Sequence, residues 1–332
     1  MSGLYCSRIC AVALFLGMSF ASCMARVTDN KFFLKFVDSS EAAVMLSTPD
    51  KNTDNWGKFD IEARMGRPGA TRGELLEKIK TYTCDFTQAD KDSLVKAFNI
   101  FDKELSAKNL LLPLPDEFVI VKTTMAEEGG AAAYTRENII CVGEDVLKRV
   151  PASRLAVLIA HETFHILTRN NPAFRKAMYS LIGFNVLDNE IMFSKDITDR
   201  RISNPDVNRY DSYAMLTVDG EKRPYTMLIY SDKDYEGGSI FNYMKIGLVP
   251  LGGNNQPVRK DGRTVIVPLE NAVDFYSLVG RNTDYVINPE ECLADNFAIA
   301  VCGTSKKLPN PEIIERILSV IRHHGASVAC KS

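Results

Sequence analysis

Two of the chain's four histidines, His161 and His165, stand four positions apart in the stretch AHETFHILTRNNP, with Glu162 directly after the first. An α-helical turn takes about 3.6 residues, so both imidazoles leave the same helix face, one above the other. Two nitrogen ligands need this disposition to grip one metal ion. Glu162 lies about 100° around the helix, where a carboxylate can hold a water and take its proton. The preceding LAVLIA is a buried-helix pattern leading straight into the motif. The competing reading is a helix that buries two histidines hydrogen-bonded to backbone. Chance rarely gives H-E-x-x-H in a chain so poor in histidine.

Such a site needs a third protein ligand and an open position. The other two histidines, His323 and His324, sit near the expected end of the last helix, where the helix dipole favours positive charge. They are expected to be structural or solvent-exposed. A carboxylate ligand is therefore expected. In NPEECLADNF, Glu291 and Asp295 are four apart on a helix predicted to start after Pro289. Glu290, one register off, and Glu190, in LDNEIMFSKD, compete with Glu291. A plain surface acidic cluster is the other reading of this segment.

The two motifs together, H-E-x-x-H and Glu291-Cys292-Leu293-Ala294-Asp295, resemble the gluzincin group of zinc metallopeptidases. The resemblance implies an α+β fold with a zincin-like catalytic unit. It implies Zn²⁺ held by His161, His165 and Glu291, with Glu162 as general base acting on metal-activated water. Asp295 would accept a hydrogen bond from one ligand histidine. The substrate would be a peptide or protein. Mn²⁺ or Fe²⁺ would also suit two nitrogens and a carboxylate. The spacing from His165 to Glu291 is far longer than in thermolysin-like enzymes. At Glu190, Ser194 replaces their supporting Asp. The segments EEGGAAAYTREN, IGF and RRISNPD further resemble bacterial proteins of unassigned function with the same motif pair. Zincins pair substrate with an edge strand, and Ala131-Ala132-Ala133-Tyr134 is the candidate here, its small side chains allowing close backbone approach. An ordinary core strand fits equally well. For the oxyanion donor that family members supply with His or Tyr, Tyr285 comes first, then Tyr230 and Arg281.

The rest of the chain must position these groups. The net charge is -2 and the pI about 6.2, so electrostatics give no reason to expect nucleic acid or anionic membrane as a partner. Arg8 precedes the apolar run ICAVALFLGMSF, which ends in small residues, ASCMA. This is a secretory-signal pattern over residues 1–25, and it implies export. Cleavage after Ala25 would release a soluble protein. Phe20-Ala21-Ser22-Cys23 also resembles a lipobox, which would place a lipid on Cys23. Five cysteines remain beyond it: Cys84, Cys141, Cys292, Cys302 and Cys330. No CxxC occurs, so a cysteine zinc site is not supported, and one or two disulfides are open.

Residues 26–75 lack clear periodicity and are expected to be an extended leader. Leu75–Tyr82 and the segment after a Thr87–Asp90 capping box are expected helices. Strands are expected at Phe118–Thr123 and through AYTRENIICV. Ser153 is expected to cap the helix that carries the histidines. A short helix should follow Pro172. The loop holding Asp196, Asp199, Asp206, Asn208 and Asp211 lacks EF-hand spacing and is expected to be solvated rather than to bind Ca²⁺. The segment 188–211 is placed where it could cover a cleft. Hairpins are expected at Asp219-Gly220 and Asp261-Gly262. The last helix should start at Pro311 and stop before Gly325. The simplest organisation is one domain, 26–332, with an insertion at about 172–288. Two other functions stay open. One is a non-catalytic envelope or binding protein that keeps the fold, with a fourth ligand closing the site. The other is hydrolysis of a non-peptide bond.

Overall fold

Mixed α and β structure is built around one helix pair in the computed structural model, which describes residues 23–26 and 33–329 and the side chains of 33–324. Most of the expected signal segment lies outside the described residues. Cys23–Arg26 forms β1, antiparallel to β2 (Phe33–Phe36). The next stretch is not the extended leader expected from its polarity. It folds into four short helices: α1 (Ser39–Ser47), α2 (Lys51–Asp54), α3 (Lys58–Met65) and α4 (Arg72–Ile79). Asp38, Asp50 and Thr71 cap α1, α2 and α4 by accepting from backbone N–H groups three residues on. These helices bury only a few apolar side chains, such as Leu46, Phe59 and Leu75, and α2 buries none. A face that narrow leaves no periodic trace in sequence.

After β3 (Thr83–Cys84), the Thr87–Asp90 capping box opens α5 (Gln88–Ala107), which buries Leu94, Phe98, Phe101 and Leu105 as their spacing requires. β4 spans Glu117–Thr123. The single strand expected next is a hairpin of β5 (Ala133–Arg136) and β6 (Ile139–Gly143), because Glu137 turns the chain at a φ of 49°. The first sheet runs β1-β2-β4-β6-β5, with β2, β4 and β6 parallel and β3 paired to β4. Among the described residues β5 is an edge strand, with β6 its one partner.

Next come α6 (Glu144–Arg149), α7 (Ala152–Asn170) and α8 (Pro172–Leu181). Pro151, not Ser153, stands at the N-cap of α7; Ser153 lies inside the first turn. A second, antiparallel sheet follows. It comprises β7 (Phe184–Val186) and, after α9 (Lys195–Thr198), β8 (Ser212–Val218), β9 (Glu221–Tyr230) and β10 (Lys245–Pro250). Beyond the small β11 (Arg259–Lys260) and β12 (Arg263–Thr264) hairpin, β13 (Val267–Pro268) completes it. Both Asp-Gly pairs turn as expected, with positive φ at each residue. The chain ends in α10 (Phe275–Val279), α11 (Pro289–Cys302) and α12 (Pro311–Ala329). Because α12 continues past Gly325, His323 and His324 do not sit at its C-terminus; His324 instead meets the Phe174 ring at 5.7 Å. Cys84, Cys141, Cys292 and Cys302 are all free thiols, and Cys330 lies outside the described residues. No described helix is long and apolar enough to cross a membrane.

The centre of the core is α7, packed between α5 and α11. Phe164 is fully buried, with its ring 5.3 Å from Phe297 of α11. A buried ionic cluster joins the first helices to the second half of the chain. Asp60 accepts from Arg64 Nη1 at 2.5 Å and from the Ser203 backbone N–H at 3.0 Å. Arg64 Nη2 donates to Glu128 Oε2 at 2.7 Å and to the Ser203 carbonyl at 3.0 Å. Asp60 is fully buried, so Asp60→Ala would leave Arg64 with Glu128 as its one carboxylate and the Ser203 N–H without its acceptor. It should lower the unfolding free energy by about 1–3 kcal/mol in urea titrations. A loss below about 0.5 kcal/mol would mean that water takes the place of the Asp60 carboxylate.

Candidate metal centre

His161 and His165 project from α7 towards the first turn of α11. Asn288 caps α11 by accepting the Glu291 N–H at 2.9 Å, and Pro289 occupies the first helical position. This cap places Glu290 and Glu291 at the helix N-terminus, where the dipole favours carboxylates. Glu291 Oε2 lies 3.0 Å from His161 Nε2 and 3.5 Å from His165 Nε2. The three ligand atoms fall within 4.8 Å of one another. Glu291, rather than either rival, stands between the two imidazoles.

The far nitrogens are also held. His161 Nδ1 meets Asp295 Oδ1 at 2.9 Å, and Thr283 donates to the other Asp295 oxygen. His165 Nδ1 meets Glu290 Oε1 at 3.2 Å. Glu290 also accepts from Thr168 and, at 2.6 Å, from the Tyr179 hydroxyl. With a carboxylate at each Nδ1, both rings carry a proton there, and each Nε2 is turned towards Glu291. His165 Nε2 is buried with no hydrogen-bond partner, and so is Glu162 Oε2. A cation between these groups would satisfy His165 Nε2, so two imidazoles and a carboxylate fit a metal ion by donor type and direction.

Glu190 lies elsewhere, in an ion pair with Lys51 at 2.5 Å. Tyr230 is in β9, its ring edge against Gly247, and does not line the cleft. Tyr285 does line it, half-exposed, with its ring centroid 6.2 Å from that of His161. Arg281 lines the same cleft. So do Ala131, Ala132 and Ala133, at and just before the start of β5.

The expected solvated loop is partly buried and enters the centre. Asp211 is fully buried between Arg175 and Arg209. Asn204 donates to Glu291 Oε1. Asp206 Oδ1 accepts from both the Thr135 N–H and the Thr135 hydroxyl at 2.7 Å. An Asp206 oxygen comes within 4.8 Å of His165 and Glu162 ligand atoms. Spacing alone could not place these residues, nor the part Glu290 takes, because their partners are distant in sequence. Their one sequence signal was RRISNPD, which contains both Asn204 and Asp206. Comparison of the chain with protein-family models, curated proteins and solved structures gives no match.

The electrostatics of the centre follow from this geometry. Burial opposes charge on His161, but its hydrogen bonds to Asp295 and Glu291 win and push it up to about 10. Burial likewise opposes charge on His165, and the Asp206 and Glu291 carboxylates hold it well above the ordinary imidazole value. Burial, with Asp206 nearby, pushes Glu162 up to about 8. Protons thus stand in for a cation. Their contribution to stability is complete below the unfolded imidazole value of about 6.5, and it is lost as pH rises through the raised folded values. A bound metal must displace them. Zinc affinity should therefore rise as pH rises from 6 to 9. Calorimetry at neutral pH, in buffers of different ionisation heat, should show proton release, one from each imidazole. An enthalpy independent of the buffer would mean that the imidazoles are not the ligands.

Proposed function

We propose that the chain is an exported zinc-dependent metallopeptidase of gluzincin type, with a zincin-like catalytic unit. One observation carries the reading. His161 Nε2, His165 Nε2 and Glu291 Oε2 converge, each imidazole is backed by a carboxylate, and the unpartnered Glu162 carboxylate stands beside them. A purely structural site has no use for that last group. The parallel core strands, the edge strand β5, helix α7 and glutamate helix α11 support the unit in their order and placement. Residues 1–25 support export by their composition.

Zinc held by His161, His165 and Glu291 would act as a Lewis acid, acidifying a water and polarising the substrate carbonyl. Glu162 Oε2 takes the proton of the attacking water and passes it to the leaving amine. Asp295 and Glu290 keep the imidazoles in one tautomer and one direction. Asn204 holds the second oxygen of Glu291. Tyr285, which lines the cleft with its ring beside His161, would be the oxyanion donor. The Thr135 N–H points away from β6, because it donates to Asp206. By ladder alternation the Ala133 backbone groups point the same way, free to pair with a substrate strand. Asp206 ends that pairing at Thr135.

A second reading, a non-catalytic envelope or binding protein, draws on the same Asp206. Its carboxylate reaches the His165 and Glu162 atoms and could close the site as a fourth ligand.

Glu162→Gln should keep about one zinc per chain and lose about 10²–10⁴-fold in peptide hydrolysis. Glu291→Ala should lose zinc on dialysis, as read by elemental mass spectrometry. Undiminished turnover in Glu162→Gln would remove the mechanism. If wild type binds zinc but cleaves nothing, and Asp206→Ala binds it more weakly, the second reading takes over.

A further inference from the structure

His161, Glu162 and Glu291 of the candidate metal centre line a cleft of about 880 Å³ between α7 and α11. Along α7 its floor is made by Arg154, Val157, Leu158, His161 and Glu162, one face at helical spacing. Glu291, Asp295 and Ile299 line the opposite wall from α11. The cleft then continues into the segment after α11, where Lys306 and Lys307 line it. Its two ends differ. One end meets the edge strand at Ala131–Ala133. The other, where α7 begins and α11 ends, carries Arg154, Lys306 and Lys307, with Arg281 also on the rim.

All four of these cations are exposed. Among the described residues none of them forms an ion pair with a carboxylate. Arg281 is steadied by the Tyr276 ring, 4.0 Å from its guanidinium carbon, which leaves its charge uncompensated. Asp284 is the one exposed carboxylate lining the cleft, and it belongs to the Tyr285 segment beside His161. Four like charges gathered at one part of the rim make that end of the cleft locally positive, while the carboxylates Glu162, Asp206, Glu291 and Asp295 line its centre. In a chain with net charge -2, this concentration is local and not a general surface property.

Resting on the metallopeptidase reading, we infer that the substrate is an acidic peptide whose carboxylate docks on Arg154, Arg281, Lys306 and Lys307. The geometry sets its distance from the reacting bond. Arg154 and His161 are seven residues apart on α7, about 10 Å at 1.5 Å per residue. Extended peptide covers that in about three residues. The carboxylate belongs to an Asp or Glu side chain about three positions from the scissile bond, or to the peptide's free C-terminus.

The test uses the full-length protein and one neutral reference peptide. A Glu series moves the charge from two to four residues on either side of the cleaved bond, each peptide made with a free and an amidated C-terminus. kcat/KM should rise about tenfold for one Glu position on one side and fall back in 0.5 M salt. A gain that survives amidation assigns the side chain; a gain lost on amidation assigns the C-terminus. In Arg154→Glu/Lys306→Glu/Lys307→Glu the preference should invert towards Lys peptides. The ratio of two peptides within one variant is independent of how much of it folds. The same peptides, fluorescently labelled, are bound to Glu162→Gln, so affinity is read without turnover. Charge-dependent binding with no hydrolysis by wild type would uphold the acidic-ligand inference and remove the peptidase reading. Equal kcat/KM and equal affinity for Glu, neutral and Lys peptides, unchanged by the triple reversal, would overturn the inference and leave the peptidase reading standing wherever peptides are cut.

Discussion

Buried charge must be balanced where α7 packs on α11, and the rest of the site depends on how that is done. Two imidazoles meet Glu290 and Glu291, both nearly inaccessible to water, and Asp295 at the cleft edge. A carboxylate removed from water is tolerated only when paired and hydrogen-bonded. The histidines supply that pairing as protonated rings or as bridges to a metal ion. The helix contact and the candidate metal centre are therefore one interface. The apolar part of the contact, Phe164 against Phe297, sets the approach of the helices. The polar part sets their register, since sliding either helix by one residue would part Glu291 from both rings at once.

Polar anchoring extends outwards from this interface. Glu290 ties α11 to α8 through Tyr179, and to α7 through Thr168. Asn204 ties it to the segment ahead of β8. That segment is in turn fixed at Ser203 by Asp60 and Arg64 of α3. Helix α3, remote in sequence from every ligand, thus helps decide where Asn204 and Asp206 sit. The stretch with the weakest sequence signal contributes to the most demanding geometry.

Legibility in the sequence followed the range of the interaction. His161, His165 and Glu162 share one helical turn, so spacing brought them together, while Glu291 and Asp295, sharing another, were singled out by the resemblance their motif carries. The Thr87 capping box and both Asp-Gly turns were legible for the same reason. Glu290 looked like a rival ligand because sequence shows its register but not the Tyr179 hydroxyl that turns it towards Nδ1 of His165. Asp206 looked like a loop acid because its partner, Thr135, is 71 residues away. Helices α1, α2 and α3 were missed because each hides too few apolar side chains to show a period, whereas α4 was anticipated from Leu75 onward. The Glu137 turn was missed because it uses a residue that rarely adopts positive φ.

The distance in sequence between the two halves of the centre bears on how the molecule comes to be. His161 and Glu291 are separated by 130 positions, with the whole second sheet between them. Closing a loop of that size costs more conformational entropy than any local contact, so it comes late in folding. A chain synthesised from its N-terminus displays the histidine pair and its glutamate long before Glu291 has left the ribosome. Until then the two imidazoles stand without the carboxylate that joins them. Chain order alone thus sets the completion of this cluster near the end of synthesis.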